Sequence, residues 1–494
     1  MRDHGVIQKT FLYRFSEKAL PILVWITILM PVWLSPFHPA VASYLILGYL
    51  IYFLYKAFKM SYYGIVSFRL MNQAERTDWN ELLRDVPEAP EIHHFAMIVI
   101  ATESETKVEK TLEYMRDQKY DHSKLNIILA MEDRIEGSHE KGIYLLNAFK
   151  KDFNHIEAVY HTLVEGEVVG KASNATFASK RITEIIKERG LDSKKVLISV
   201  CDADSLLPDE YFAYLTYKFI HETDREYRFY AAPVLLYNNY WKLPFPVRMQ
   251  MTLSSVARMS FLSQKEDFIQ ISTYSLTMWM LEEVGYWDVD IIPEDWHIWM
   301  QAFYALGEKV KTIPLYTPIV RDGVLRPTYM KTLKMRYDQE KRWAWGVTDV
   351  PYSIARFFNS PHINFWVKLR RILFVTENHF MWPTAFFLLT VSASIPGLIN
   401  PGFERTVLGL LLPKLASFIL SSASFMLLLA IYFDYQLRKR INIDTSWKQV
   451  PMLFIQWYLL PAVSFVFSAL PALDAHTRML LGKKLEYKTT KKVD

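Results

Sequence analysis

Two uncharged apolar runs near the start constrain the chain more than any other feature. Residues 20–34, LPILVWITILMPVWL, and 40–55, AVASYLILGYLIYFLY, are separated only by SPFHP. Each approaches the ~17–25 residues that a membrane-spanning helix needs, so together they predict a tight helical hairpin. The second run follows at once and no small-x-small site lies between, which argues against a cleaved leader. Arg2, Lys9, Arg14 and Lys18 precede the pair and Lys56, Lys59 and Arg69 follow it, while the turn carries no Lys or Arg. The positive-inside bias then predicts that both ends are cytoplasmic.

A second apolar block fills the last quarter, with candidate spans at 381–399, 415–433 and 452–472. Arg438, Lys439 and Arg440, and a tail with Arg478, Lys483, Lys484, Lys488, Lys491 and Lys492, are both expected on the cytoplasmic side. Three complete spans break that parity. Pro461 in the last segment makes a kinked or re-entrant stretch one resolution, and four to six spans are expected in all. The stretch FWVKLRRILF, 365–374, mixes aromatics with Lys and Arg as a membrane-surface helix does.

At 51% hydrophobic, the chain is too apolar for an average soluble enzyme and too polar for a pure transporter. A lone cysteine, Cys201, excludes an internal disulfide and a Cys metal cluster, and is expected to be a small buried hydrophobe. The net charge of +5 argues neither for nor against nucleic acid.

Between the apolar blocks, residues 60–375 change pattern. Strands are predicted at FAMIVIAT (95–102), LNIILAME (125–132), HIEAVYHT (155–162) and VLISV (196–200), with helices at 105–118 and 172–190. That alternation predicts an α/β fold with a mostly parallel sheet. Ligands bind such sheets beyond the carboxyl ends of the strands, where Glu105, Glu132, Asp133, Asp202 and Asp204 fall. The sequon at Asn174 lies in a predicted helix and reads as a chance match.

Three short motifs carry chemistry. Asp202 and Asp204, at i and i+2 on extended backbone, point the same way and can share Mg²⁺ or Mn²⁺. An acidic loop capping the next helix would look alike. Glu294-Asp295 opens an amphipathic helix; Asp295 is either a helix cap or a general base, and His297 reads as structural. Gln339-x-x-Arg342-Trp343 offers a planar fork for phosphate and a flat ring for a sugar, although aromatics beside Lys and Arg also mark membrane interfaces.

The ordered set is more specific than its parts. D-x-D, E-D and Q-x-x-R-W in this order, between membrane blocks, resembles the membrane-embedded family 2 glycosyltransferases, which include cellulose, chitin and hyaluronan synthases. The resemblance covers roughly residues 90–350. IVIATESE (98–105) keeps Thr102 and Glu105 of a strand-end V-x-I-P-T-Y-N-E. Gly170-Lys171-Ala172-Ser173-Asn174 is similar to G-K-A-x-A-L-N, and QISTYS (270–275) falls at an acceptor-side loop. Tyr487-x-x-Thr490-x-Lys492 faintly resembles a gating loop. The second strand departs from the usual Asp pair: it ends Glu132-Asp133, and the nucleoside contact is carried to Asp133, with Glu132 competing.

The resemblance implies a glycosyltransferase A (GT-A) domain and inverting transfer of a sugar from a nucleoside diphosphate sugar to an acceptor hydroxyl. Asp295, with Glu294, is the expected catalytic pair. Thr102, Glu105, Asp133, Lys171, Asp202 and Arg342 bind the donor, Trp343 and Gln339 the acceptor, and Asp202 and Asp204 the Mg²⁺ or Mn²⁺. A glycan or glycolipid acceptor and membrane lipids are the expected partners. Nucleic acid is not, and accessory subunits leave no signature. Polysaccharide synthesis is the first expectation, single-sugar transfer to a lipid-linked acceptor the runner-up, and a non-catalytic scaffold the third. The expected organisation is a hairpin at 1–59, a catalytic domain at 60–350, interface helices at 351–380, a membrane region at 381–472 and a basic tail at 473–494. A multi-pass protein of the plasma (inner) membrane follows, with its catalytic domain in the cytoplasm.

Overall fold

The computed structural model describes residues 11–265 and 267–485. The gating-loop likeness at Tyr487, Thr490 and Lys492, and the basic residues Arg2, Lys9, Lys488 and Lys491, lie outside them.

Buried apolar runs form the strands. In chain order these are β1 His93–Val99, β2 Leu125–Glu132, β3 His155–His161, β4 Val196–Asp202, β5 Arg228–Ala231, β6 Val234–Leu235, β7 Tyr274–Thr277, β8 Lys311–Pro314 and β9 Ile319–Val320. Seven make one sheet in the order β3-β2-β1-β4-β7-β5-β8. β7 runs antiparallel to β4 and β5, and the other pairs are parallel. β6 and β9 form a separate parallel pair, which Leu206 ties to Val320 just past β4.

Every residue of β2 is buried, because helices cover both faces of the sheet. Alternate side chains feed two cores. Phe95, Met97, Ile128 and Ile198 enter one, while Ala96, Ile98, Ile127 and Leu197 enter the other. Burial of each large side chain is worth about 1.5–3 kcal/mol. Cys201 belongs to the second core as expected. Asn174 is buried too, its amide donating to the Ala130 carbonyl at 2.9 Å, so the sequon is inaccessible.

Among the described residues, four helices are long and apolar enough to cross a membrane: Phe11–Leu34, Pro39–Glu75, Val407–Arg440 and Val450–Leu480. Phe365–Thr390 with Ser392–Ile399, bent by 51°, makes a fifth if the pair is one span. The apolar side chains of Phe418, Phe425 and Leu428 are exposed, as lipid-facing groups are. Val450–Leu480 is irregular: around Pro461 it passes through 3₁₀ and π turns, consistent with the kink its proline predicted.

Two of these helices outrun a bilayer. Pro39–Glu75 has 37 residues, or ~55 Å at 1.5 Å per residue, against a hydrocarbon core of ~30 Å. Its second half lies against the α/β domain. Lys59 pairs with Asp267 at 3.1 Å, and Ser67 shares a hydrogen bond with Ser263 at 2.7 Å. A Cβ on Gly64 would stand 2.9 Å from both Phe433 and Ser260, so three helices meet where only glycine fits. The far end of Val407–Arg440 is bound likewise: Asp434 accepts from Tyr237 at 3.0 Å and from Thr252 at 2.9 Å. The expected divisions at 59/60 and 380/381 fall inside continuous helices.

Candidate active site

A cavity of about 810 Å³ opens at the carboxyl ends of β1 and β4, where the sheet's strand order reverses. All three sequence motifs line it: Asp202 and Asp204, Glu294 and Asp295, and Gln339, Arg342 and Trp343. Lys171 lines it as well. The chain brings these residues together because β4 ends on Asp202 and the turn after it carries Asp204, two helix N-termini deliver Glu294-Asp295 and Lys171, and the helix Tyr329–Ala344 delivers Gln339, Arg342 and Trp343.

Asp295 sits in the first turn of Glu294–Leu306, and the N-cap position is Pro293. Asp295 is therefore no N-cap. Its Oδ2 accepts the Ser272 N–H at 2.7 Å, and its buried Oδ1 accepts no hydrogen bond among the described residues. Burial and the neighbouring Glu294 carboxylate raise the Asp295 carboxyl well above its usual range, against the pull of Lys171. A buried carboxylate with a raised pKa and an oxygen that faces only the Lys171 ammonium, at 3.6 Å, suits a general base.

Lys171 starts the helix Lys171–Glu188, an unfavourable end for a cation. Three carboxylates hold it there: Glu294 at 2.9 Å, Asp202 at 3.2 Å and Asp295 at 3.6 Å. Burial alone would lower its pKa, but these acids outweigh burial and keep it charged.

Asp202 and Asp204 converge on one guanidinium, that of Arg321. Its Nε donates to Asp204 Oδ1 at 3.0 Å, and its Nη1 contacts both Asp202 Oδ2 and Ser272 Oγ. The Ser272 hydroxyl donates to Asp202 Oδ2 at 2.7 Å, and the Asp322 N–H donates to Asp204 Oδ2 at 3.2 Å. A cation thus already stands between the two acids, so their geometry suits one. No cluster of three or more His, Cys, Asp or Glu among the described residues could hold a metal by itself. Mg²⁺ or Mn²⁺ here would draw its remaining ligands from a diphosphate, the usual arrangement for one or two carboxylates.

On Tyr329–Ala344, Arg336, Gln339, Glu340 and Trp343 share one face by their i, i+3, i+4, i+7 spacing. Fully buried Arg336 donates to Gln339 Oε1 at 2.7 Å and pairs with Glu340. Two guanidinium groups lie over the Trp343 ring, Arg336 at 4.9 Å and Arg258 at 5.4 Å from its centroid.

Other expected contacts fall elsewhere. Thr102, Glu105 and Asp133 are not among the lining residues; Ala101, Glu103 and Glu132 are. Glu105 is exposed in the first turn of the next helix. Asp133, one past the end of β2, is also exposed, and it bonds to His139 at 2.7 Å and Thr162 at 3.2 Å. Strand alternation turns Glu132 inward instead, where it is buried and paired with Arg134. His297 is structural as expected: Asp349 at 2.7 Å and Asp288 at 2.9 Å clamp both ring nitrogens.

Sequence reasoning missed Arg321, Arg258 and Arg336; it marked the QISTYS stretch that holds Ser272 as an acceptor-side loop, but not Ser272 as the residue that joins Asp295 to Asp202. Only Arg336 had a local signal, its helical spacing to Gln339, Glu340 and Trp343.

The family model described as glycosyl transferase family group 2 matches residues 197–468, more than half of the chain. The chain belongs to that family. This glycosyltransferase matches no curated protein sequence. It is similar to the solved mannosyltransferase PcManGT from Pyrobaculum calidifontis, in complex with GDP-Man and Mn²⁺, at 13% identity over 78% of this chain and 98% of that one, with a TM-score of 0.42. It is also similar to S. aureus TarS (residues 1–349) in complex with UDP-GlcNAc, at 10% identity over 80% of this chain and 94% of that one, with a TM-score of 0.36. The expected fold class holds: the glycosyltransferase has a GT-A-type mixed α/β sheet flanked by long apolar helices.

Proposed function

We propose that this glycosyltransferase moves a sugar, with inversion, from a nucleoside diphosphate sugar to an acceptor hydroxyl, and that it builds a polysaccharide at a membrane. The observation that carries this reading is the lining of one cavity. Asp202, Lys171 and Asp295 stand at its sheet end, and Trp382, Ser464 and Ser468, from helices of the membrane block, stand elsewhere around it. Hydroxyls and an indole suit a glycan, and Trp382 Nε1 already donates to Ser468 Oγ at 3.0 Å.

Each residue has a role in this reading. Asp295 Oδ1 takes the proton from the attacking hydroxyl, and burial keeps that oxygen basic enough to do so. The Ser272 amide aims the carboxylate. Glu294 holds Lys171, and Lys171 and Arg342 offset the negative charge of the diphosphate. Gln339 and Trp343 meet the acceptor from Tyr329–Ala344. Asp202 and Asp204 would hold Mg²⁺ or Mn²⁺, which when bound supplies positive charge to the departing diphosphate. The catalytic domain would lie in the cytoplasm, where donor sugars are available and where the basic flanks of the spans point.

The test is donor turnover by the full chain in detergent, with Mg²⁺ or Mn²⁺ and a panel of UDP-, GDP- and dTDP-sugars. Release of nucleoside diphosphate with one donor, together with a product that grows in size, supports polymer synthesis. A product carrying a single added sugar points to a lipid-linked acceptor. No release with any donor overturns the reading.

A further inference from the structure

The acidic pair that the proposed donor chemistry assigns to a divalent ion is already fully engaged. Asp202 Oδ1 lies 3.2 Å from Lys171 Nζ, and its Oδ2 accepts from Ser272 and Arg321. Asp204 Oδ1 accepts Arg321 Nε at 3.0 Å, and its Oδ2 accepts the Asp322 N–H at 3.2 Å. Arg321 touches both acids through its side chain.

The backbone of Arg321 is fixed. Its N–H donates to Leu235 at 2.8 Å, and its carbonyl accepts from Asn238 at 3.0 Å, so β9 and the β6 segment hold the residue. Any movement belongs to the side chain alone. That side chain is only 13% exposed. A guanidinium so enclosed needs an anion, and a divalent ion entering between Asp202 and Asp204 takes away the two it has. A free ion therefore meets resistance. A nucleoside diphosphate changes the balance, because phosphate oxygens suit the planar fork as well as carboxylates do.

We propose that Arg321 is the resident cation of the acidic pair. It keeps a free divalent ion off Asp202 and Asp204 and gives up that place when a diphosphate offers its guanidinium another anion. Cation and donor then bind as a linked pair through one side chain. The inference rests on the reading of Asp202 and Asp204 as the metal-binding acids.

The experiment measures Mn²⁺ binding directly, by loss of the free-ion electron paramagnetic resonance signal, on the full chain in detergent without nucleotide. Arg321→Gln should bind Mn²⁺ tighter than the parent chain by a factor on the order of ten. With Mn²⁺ present, the same variant should bind UDP or GDP more weakly, because the phosphate partner is gone. A merely structural loss would weaken both. If Arg321→Gln does not fold, Arg321→Lys decides: its single-point ammonium should give a smaller shift in the same two directions. Equal or weaker Mn²⁺ binding in the variant that folds overturns the role of Arg321. Asp204→Asn separates the two ideas. If it leaves Mn²⁺ binding intact, the ion sits elsewhere and the metal reading of the acidic pair falls too.

Discussion

The Ser272 amide donates to the Asp295 carboxylate at 2.7 Å from a backbone with φ of 73°, a left-handed conformation that a serine adopts only at a cost. The same residue's hydroxyl reaches Asp202 at 2.7 Å, and its carbonyl accepts from Lys171 at 3.2 Å. One residue thus fixes the spacing between the proposed base and the proposed metal-binding acid. Strain of this kind gathers where a site demands it. Ser272→Ala and Ser272→Gly both keep the amide and lose the hydroxyl, so nucleotide affinity should fall by a similar few-fold factor in each. Glycine accepts positive φ freely, so the Gly variant should be the more stable of the two by about 1 kcal/mol in thermal unfolding. Equal stability would mean that the left-handed turn is not kept.

Asp295→Asn should lower transfer on the order of 10³-fold while UDP or GDP still binds. Wild-type turnover in this variant would remove Asp295 as the base. The pH profile gives a second reading. Burial and Glu294 raise the Asp295 carboxyl, so the acid limb of kcat/KM should lie above the ordinary carboxylate range, with activity lost as pH falls through it. Glu294→Gln removes the like charge and frees Lys171, which now pairs with Glu294 at 2.9 Å. Both changes lower the Asp295 pKa, so the acid limb should move to lower pH. A limb that stays in place would assign the titration to another group.

The parallel half of the sheet was legible because strands covered on both faces must be continuous apolar runs. LNIILAME became β2 without a residue's error, and VLISV grew by only two residues into Asp202. The strands β5 to β9 span two to four residues each, too short for any periodicity to register. The apolar runs revealed where helices could enter a membrane but not how far they continue. Residues 56–75 carry charges, and they stay helical because the α/β domain packs against them. Arg321 gave no signal because its partner Asp204 is 117 residues away, and adjacency in the fold leaves no trace in local spacing. The QISTYS stretch around Ser272 was marked, but its left-handed turn was not legible: a glycine would have announced the positive φ, and a serine does not.

Trp343 bears on whether the acceptor stacks on this ring. Arg336 and Arg258 already lie over it, at 4.9 and 5.4 Å, so the ring also holds two guanidinium groups in place. Trp343→Ala should reduce transfer about ten-fold more than it reduces donor hydrolysis, since stacking serves only the acceptor. Trp343→Phe should recover part of the difference. Equal loss of both activities would leave the ring with guanidinium packing alone.

His297 predicts a stability effect apart from chemistry. It joins the helix Glu294–Leu306, which carries the base, to Asp349 at the start of the helix Asp349–Asn359, and also to Asp288. Burial opposes its charge, but the two carboxylates win and raise the imidazole from 6.5 to about 9. The folded protein therefore prefers the imidazolium. The stabilisation is complete below the ordinary histidine range and fades as pH rises through about 9. His297→Gln should cost about 3 kcal/mol at pH 6, because it leaves a buried carboxylate without its partner. The gap between the unfolding temperatures of variant and parent should shrink as pH climbs through the alkaline range. A gap that does not change with pH would show that His297 is neutral and that its clamp is made of ordinary hydrogen bonds.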